Sequence, residues 1–275
     1  MRKKTTETTP KKETKTKPKK TSVQDVLANL RLEIKHKNET QKKLTNSIKN
    51  NDVTICSGPA GTGKTFLAVY ESLMLLKTHP DIYKEIKLVK SITQLKNEEI
   101  GSLPGDANDK LRFHMMSYMD AFYQIIGEEK TNLLIELNVI KFDVFGTIRG
   151  RSFNNAIIIV DEFQNITHDN AKTFLTRFSD NTKVIVLGDF SQIDLKVKSD
   201  SSFERLLNKV KSKQTQGVEV IEFVKKDIVR HRLTNYFIEL FEESEPLQQK
   251  PIKPIKEQQK VKKTGFFGFI RNIFR

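Results

Sequence analysis

The sequence has a single cysteine, Cys56, so no internal disulfide can hold the chain together. It lies in an apolar run just before a glycine-rich stretch, where a buried thiol of the core is the expected role. No run of about 18 apolar residues is present, and the chain does not open on a charged-then-apolar segment. Neither a membrane span nor a secretory signal is therefore indicated, and with one cysteine a reducing, cytoplasmic setting is expected. The five histidines, His36, His79, His114, His168 and His231, show no metal-ligand spacing, which argues against a zinc site.

Net charge is also missing where it would first be sought. The formal balance is +14, yet residues 1–20 carry nine basic side chains against Glu7 and Glu13, and residues 246–275 carry eight against Glu257. The 225 residues between hold 31 basic and 31 acidic side chains and sum to zero. The excess lives in two tails, and basic arms of this kind grip polyanions by electrostatics. Residues 1–20 have no apolar residue after Met1 and are expected to be disordered.

What the chain does have is Gly58-Pro59-Ala60-Gly61-Thr62-Gly63-Lys64-Thr65, an ungapped match to G-x-x-x-x-G-K-[ST]. It follows the β-branched run Val53–Cys56 and leads into a helical pattern at Phe66, Leu67, Val69, Leu73 and Leu76. Strand, glycine loop and helix are the context in which backbone N–H groups and a helix dipole cradle phosphates. Lys64 would reach the β- and γ-phosphates of ATP, and the Thr65 hydroxyl would hold Mg²⁺.

The rest of the chain supplies partners for this loop. Glu85–Lys90, Ile140–Phe145, Ala156–Val160, Lys183–Leu187 and Gly217–Phe223 read as further strands, separated by helical segments. Such alternation predicts a parallel α/β sheet, and five strands with their helices account for one domain. Residues 108–138 read as two helices joined at Gly127-Glu128, with Tyr118, Phe122, Tyr123 and Ile126 on a core face. The apolar strand Ala156–Val160 stops at Asp161-Glu162, where Asp161 would hold Mg²⁺ and Glu162 would polarise the attacking water. Gln192, at the end of the neighbouring strand, is placed to sense the γ-phosphate, and a cation should spread the charge of the transferring phosphoryl group. Arg230 is the first choice, since it follows the last strand on the loop's edge of the sheet; Arg149, Arg151 and Arg177 are the others.

Taken in order, Gly58–Thr65, Ser102-Leu-Pro-Gly-Asp106, Arg149-Gly-Arg-Ser152, Ile159-Val-Asp-Glu-Phe-Gln-Asn165, Phe174-Leu-Thr-Arg177, Gly188-Asp-Phe-Ser-Gln-Ile-Asp194 and Ile228-Val-Arg-His231 resemble the motifs of the PhoH family. The resemblance runs from about Asn38 to Glu243. It implies one RecA-like P-loop ATPase core related to superfamily-one helicases, with Gln41 at adenine, Gln192 as sensor and Arg230 at the γ-phosphate. The chain departs from the family at Lys90-Ser91, Phe163, Ser191 and Arg232, none of which removes a catalytic group. Some members carry a nuclease domain ahead of this core; residues 1–37 are too short for one, so nuclease activity is not expected.

The expected organisation is thus a basic arm (1–20), an ATPase domain (21–245), a polar linker (246–264) and a basic amphipathic tail (265–275) that docks on a protein partner or an anionic membrane surface. The expected activity is Mg²⁺-dependent ATP hydrolysis on RNA or single-stranded nucleic acid. A homo-oligomeric ring would supply the second wall that paired helicase lobes provide. A small-molecule kinase and a nucleotide-controlled adaptor protein are the alternatives.

Overall fold

A computed structural model describes residues 22–90, 115–148 and 151–230, together with residues 233, 234, 236, 237 and 240. Contacts divide the chain into two units, Met1–Arg230 and His231–Arg275. In the second, the five described residues are helical and exposed, with the Tyr236 and Phe237 rings in edge contact at 5.4 Å. The two tails, the Ser102–Asp106 motif, Ser91, Arg149, Arg232 and the linker lie outside the described residues.

The first unit is built on six strands, β1 Val53–Ser57, β2 Glu85–Lys90, β3 Ile140–Val144, β4 Ala156–Val160, β5 Lys183–Gly188 and β6 Val218–Glu222. All pair in parallel in the order β3-β2-β4-β5-β1-β6. The run before the glycine loop and the five read after it all lie in this one sheet, so the domain holds six strands rather than five. β1, β4 and β5 are buried at every position and consist mostly of β-branched residues, as strands covered on both faces must be. The edge strands β3 and β6 are only partly buried.

Residues alternate between two cores across the sheet. Ile157, Ile159, Ile185 and Leu187 face one, with Leu44, Leu67, Leu73, Tyr118 and Phe122. Ile158, Val160, Val184 and Val186 face the other, with Phe163, Phe174 and Phe203. The helices over the first core are α1 Val23–Ala28, α2 Glu39–Asn50, α3 Lys64–Thr78, α4 Met116–Ile126 and α5 Glu128–Glu136. Over the second lie the short α6 Phe145–Ile148, α7 His168–Leu175 and α8 Phe203–Ser212. Ser22 caps α1 reciprocally with Asp25, and Gly127, at φ 83°, ends α4 and starts α5 in one residue, a backbone that glycine adopts without strain. Tyr118 and Phe122 are fully buried core residues, as their helical face predicts, and Tyr123 is half-buried.

Candidate nucleotide site

The glycine loop leaves β1 at the carboxyl edge of the sheet and enters α3 through Gly63, whose φ is 86°. Four of its carbonyls are engaged within the protein. Lys64 Nζ donates to the Gly58 and Pro59 carbonyls at 2.7 and 2.9 Å, Val229 N–H to Gly61 O at 2.9 Å, and Gln41 Nε2 to Thr62 O at 2.9 Å. Those bonds fix the loop, and its backbone amides together with the start of α3 are the groups that would hold a polyphosphate. Side chains are excluded here by contact as well as by φ. A Cβ at Gly58 would stand 2.5 Å from Phe223 Cβ, and one at Gly61 would overlap the Arg230 side chain.

β5 lies between β1 and β4, so the ends of three adjacent strands converge on the loop. Thr65 Oγ1 donates to Asp161 Oδ2 at 2.7 Å, a hydroxyl and a carboxylate side by side at the carboxyl tip of β4. Hard oxygen donors of this kind suit Mg²⁺, which takes one or two carboxylate or hydroxyl ligands and completes its shell with water and phosphate. Thr65 and Asp161 would hold the ion, and its charge would offset that of the phosphates. A cleft of about 260 Å³ brings Lys64, Thr65, Asp161, Glu162, Asp189 and Gln192 together, with Ser117 of α4 on its rim.

Glu162 has φ 56°, a left-handed backbone for a residue with a side chain, just past Asp161. Burial pushes its carboxyl above the usual range, and the neighbouring Asp161 adds to the effect; a hydrogen bond from Gln164 works the other way. Gln164, itself fully buried, is the centre of a small network that sequence reasoning missed. Its Nε2 donates to Glu162 Oε2 at 2.5 Å and to the Gln192 carbonyl at 2.9 Å, while its Oε1 accepts the Asp189 N–H at 3.0 Å. Asn165 and Asp194 exchange two further bonds, at 3.0 and 2.8 Å. Asp189 closes the circuit to the glycine loop by accepting the Ala60 N–H at 3.1 Å. The only sequence signal for Gln164 was its place in the Ile159–Asn165 motif.

The remaining candidates are distributed as follows. Arg230 lies against the loop of its own chain, at Gly61. Arg151 is engaged with Asp143 of β3 at 3.2 Å. Arg177 follows α7 at the opposite edge of the sheet, its carbonyl accepting from Phe153 just before β4. Gln41 is buried against the loop, with Nε2 on Thr62 O and Oε1 accepting the Lys37 N–H at 2.7 Å, so both ends of its amide are occupied within the protein. Cys56 is a buried thiol whose pKa is raised by that burial, which makes it an unreactive core residue.

A doubly covered parallel sheet, a glycine cradle on its first strand and an acidic pair two strands away define a P-loop NTPase fold. Within that class the chain belongs to the PhoH-like protein family, whose sequence model matches residues 33–242. It is similar to a PhoH-like protein of Bacillus subtilis (35% identical over 211 residues, 76% of this chain and 64% of that one). A PhoH-like protein of Synechocystis is also 35% identical over 222 residues, 80% of this chain and 66% of the relative. The chain thus spans about two thirds of the length of these curated relatives. Among solved structures it is similar to the large terminase of a thermophilic bacteriophage, at TM-score 0.44 and 13% identity, over 74% of this chain and 48% of that one.

Proposed function

We propose that the chain is an ATP-binding, Mg²⁺-dependent ATPase that works on RNA or another single-stranded nucleic acid. The observation that carries the hydrolytic part is the Thr65–Asp161 pair, 2.7 Å apart, with Glu162 beside it, facing Lys64 across one cleft. The loop amides and Lys64 bind the phosphates. Glu162, the carboxylate with the raised pKa, takes the proton of the attacking water, and Gln164 keeps it aimed. Lys64 and Arg230 spread the charge that develops on the phosphoryl oxygens, and Gln192 holds the γ-phosphate side of the cleft. Support for the nucleic-acid part comes from the basic tails and from relatedness to helicase-type ATPases.

Phosphate release measured with and without RNA and DNA at low salt tests this reading, with free phosphate rather than a phosphorylated acceptor as the product. Glu162→Gln should lower turnover about 10²- to 10⁴-fold while ATP affinity is kept. Turnover equal to that of the unaltered chain would remove Glu162 from the mechanism.

A further inference from the structure

The loop after β5 carries Phe190 and then Gln192 along the same edge of the sheet as the glycine loop. Phe190 is 37% exposed. Its ring rests on that of Phe203, the first residue of α8, with centroids 4.9 Å apart and planes 32° apart, so that one side is supported while about a third of the residue is open to solvent. Three residues further along the same loop, Ile193 and the face of α8 that starts from Phe203 line an open groove of about 550 Å³ that includes Lys198, Ser201, Glu204, Arg205, Asn208 and Lys209. Arg205 and Lys209 are four residues apart and share a helix face, one turn from each other. Three exposed cations therefore meet one carboxylate among the described lining residues, and no ion pair is found for Lys198, Arg205 or Lys209 among the described residues. In a body of zero net charge this is a local excess. The adjoining hollow past Arg205 holds Asp169 and Asp200, which would turn a polyanion back toward the Lys198 and Lys209 side.

We propose that this surface binds a single-stranded nucleic acid, with its phosphates along Lys198, Arg205 and Lys209 and a base stacked on Phe190; the proposal rests on the nucleic-acid reading above. Cations alone would fit any polyanion. The supported, exposed ring selects an unpaired base, because only a base outside a duplex has a free π-face to offer. The site also has a direct path to the cleft. Phe190 stands between Asp189, which holds Ala60, and Gln192, whose carbonyl is held by Gln164, and Asn165 and Asp194 lock the next residues. A base on Phe190 therefore loads the segment that carries the γ-phosphate sensor.

Fluorescence anisotropy with the full chain and oligo-rU or oligo-dT, over a salt series, tests it. Phe190→Leu should weaken binding about 5- to 150-fold, and Phe190→Tyr should restore it. Lys198→Ala, Arg205→Ala and Lys209→Ala should each flatten the log–log salt slope by about 0.7. These three side chains are exposed, so the test stands even if Phe190→Leu disturbs the packing on Phe203. Variants that match the unaltered chain in affinity and slope would overturn the groove assignment while leaving the nucleic-acid reading intact. Failure of the unaltered chain to bind either oligomer would overturn that reading itself. Displacement of the oligomer by poly-glutamate as readily as by unlabelled oligomer, or equal affinity for duplex, would remove the base from the site.

Discussion

At the scale of single residues, the geometry proposed for hydrolysis depends on a side chain that stands behind Glu162. Gln164 bonds Glu162, the Gln192 carbonyl and the Asp189 N–H at once, and it has no exposed surface. Gln164→Met keeps the volume and removes all three bonds. It should leave ATP affinity near that of the unaltered chain and cut turnover by roughly 10- to 100-fold, since misaiming a catalytic group by about 1 Å costs that much. Equal losses in affinity and turnover would instead indicate a collapsed site. Most of the site was legible in the sequence because each component sits at a strand end, where a motif and a β-branched run coincide: Lys64, Thr65, Asp161, Glu162 and Gln192 meet in one cleft. Gln164 was not legible, since two of its three partners lie on a loop 25 and 28 residues away and no local pattern announces a buried amide. For Gln41 the obstacle was different. Spacing upstream of the loop can suggest proximity, but not that both ends of the amide bond to Thr62 and Lys37.

At the scale of elements, α2 and α3 pack through an interface that leaves a charge in an awkward place. Glu71, in the middle of α3, is 1% exposed, and its carboxylate has only a long ion pair, to Lys49 at the end of α2 at 3.5 Å. Burial pushes its pKa up from 4.5 to about 7, and Lys49 only partly opposes this. With the folded value above the unfolded one, the folded chain holds a proton across that interval that the unfolded chain has lost. Stability therefore falls as pH rises from about 4.5 to 7, and the whole penalty is present above that window. Glu71→Gln should accordingly stabilise the fold at pH 8 by an amount of order 3 kcal/mol, read as a higher melting temperature, and have little effect near pH 4.5. A gain of the same size at both pH values would mean that packing, not charge, is responsible. The sheet itself was readable because its central strands are continuous apolar runs. Its edges carry a weaker signal, because β3 and β6, half wetted, hold alternating or charged residues such as Lys141, Asp143 and Glu219. The ion pairs Lys87–Glu85 and Lys87–Asp143, at 3.0 and 3.5 Å, show how a lysine is accommodated inside β2, something composition alone does not reveal.

At the scale of the whole molecule, charge and site occupy different parts of the chain. The candidate nucleotide cleft and the α8 groove belong to residues whose total charge is zero, whereas the +14 resides in residues 1–20 and 246–275. Long-range attraction to a polyanion must therefore originate in the arms, and the neutral body can only contribute local contacts such as those of Lys198, Arg205 and Lys209. The same division bears on assembly. The cleft is open on one side and Arg230 already lies on its own chain's loop, so in the proposed ring a neighbour would contribute a wall rather than that arginine. Light scattering at micromolar concentration should show a multiple of the 31.8 kDa chain mass once ATP and Mg²⁺ are added, and a mass that stays monomeric would exclude the ring. Salt separates the arms from the body. Each phosphate neutralised on a single strand adds about −0.7 to the slope of log affinity against log salt. Removing residues 1–20, with their nine basic side chains, should flatten that slope by several such steps while ATP turnover without nucleic acid is unchanged. An unchanged slope would assign all the electrostatic grip to the carboxyl tail and the groove, and combining the deletion with Arg205→Ala would then separate those two.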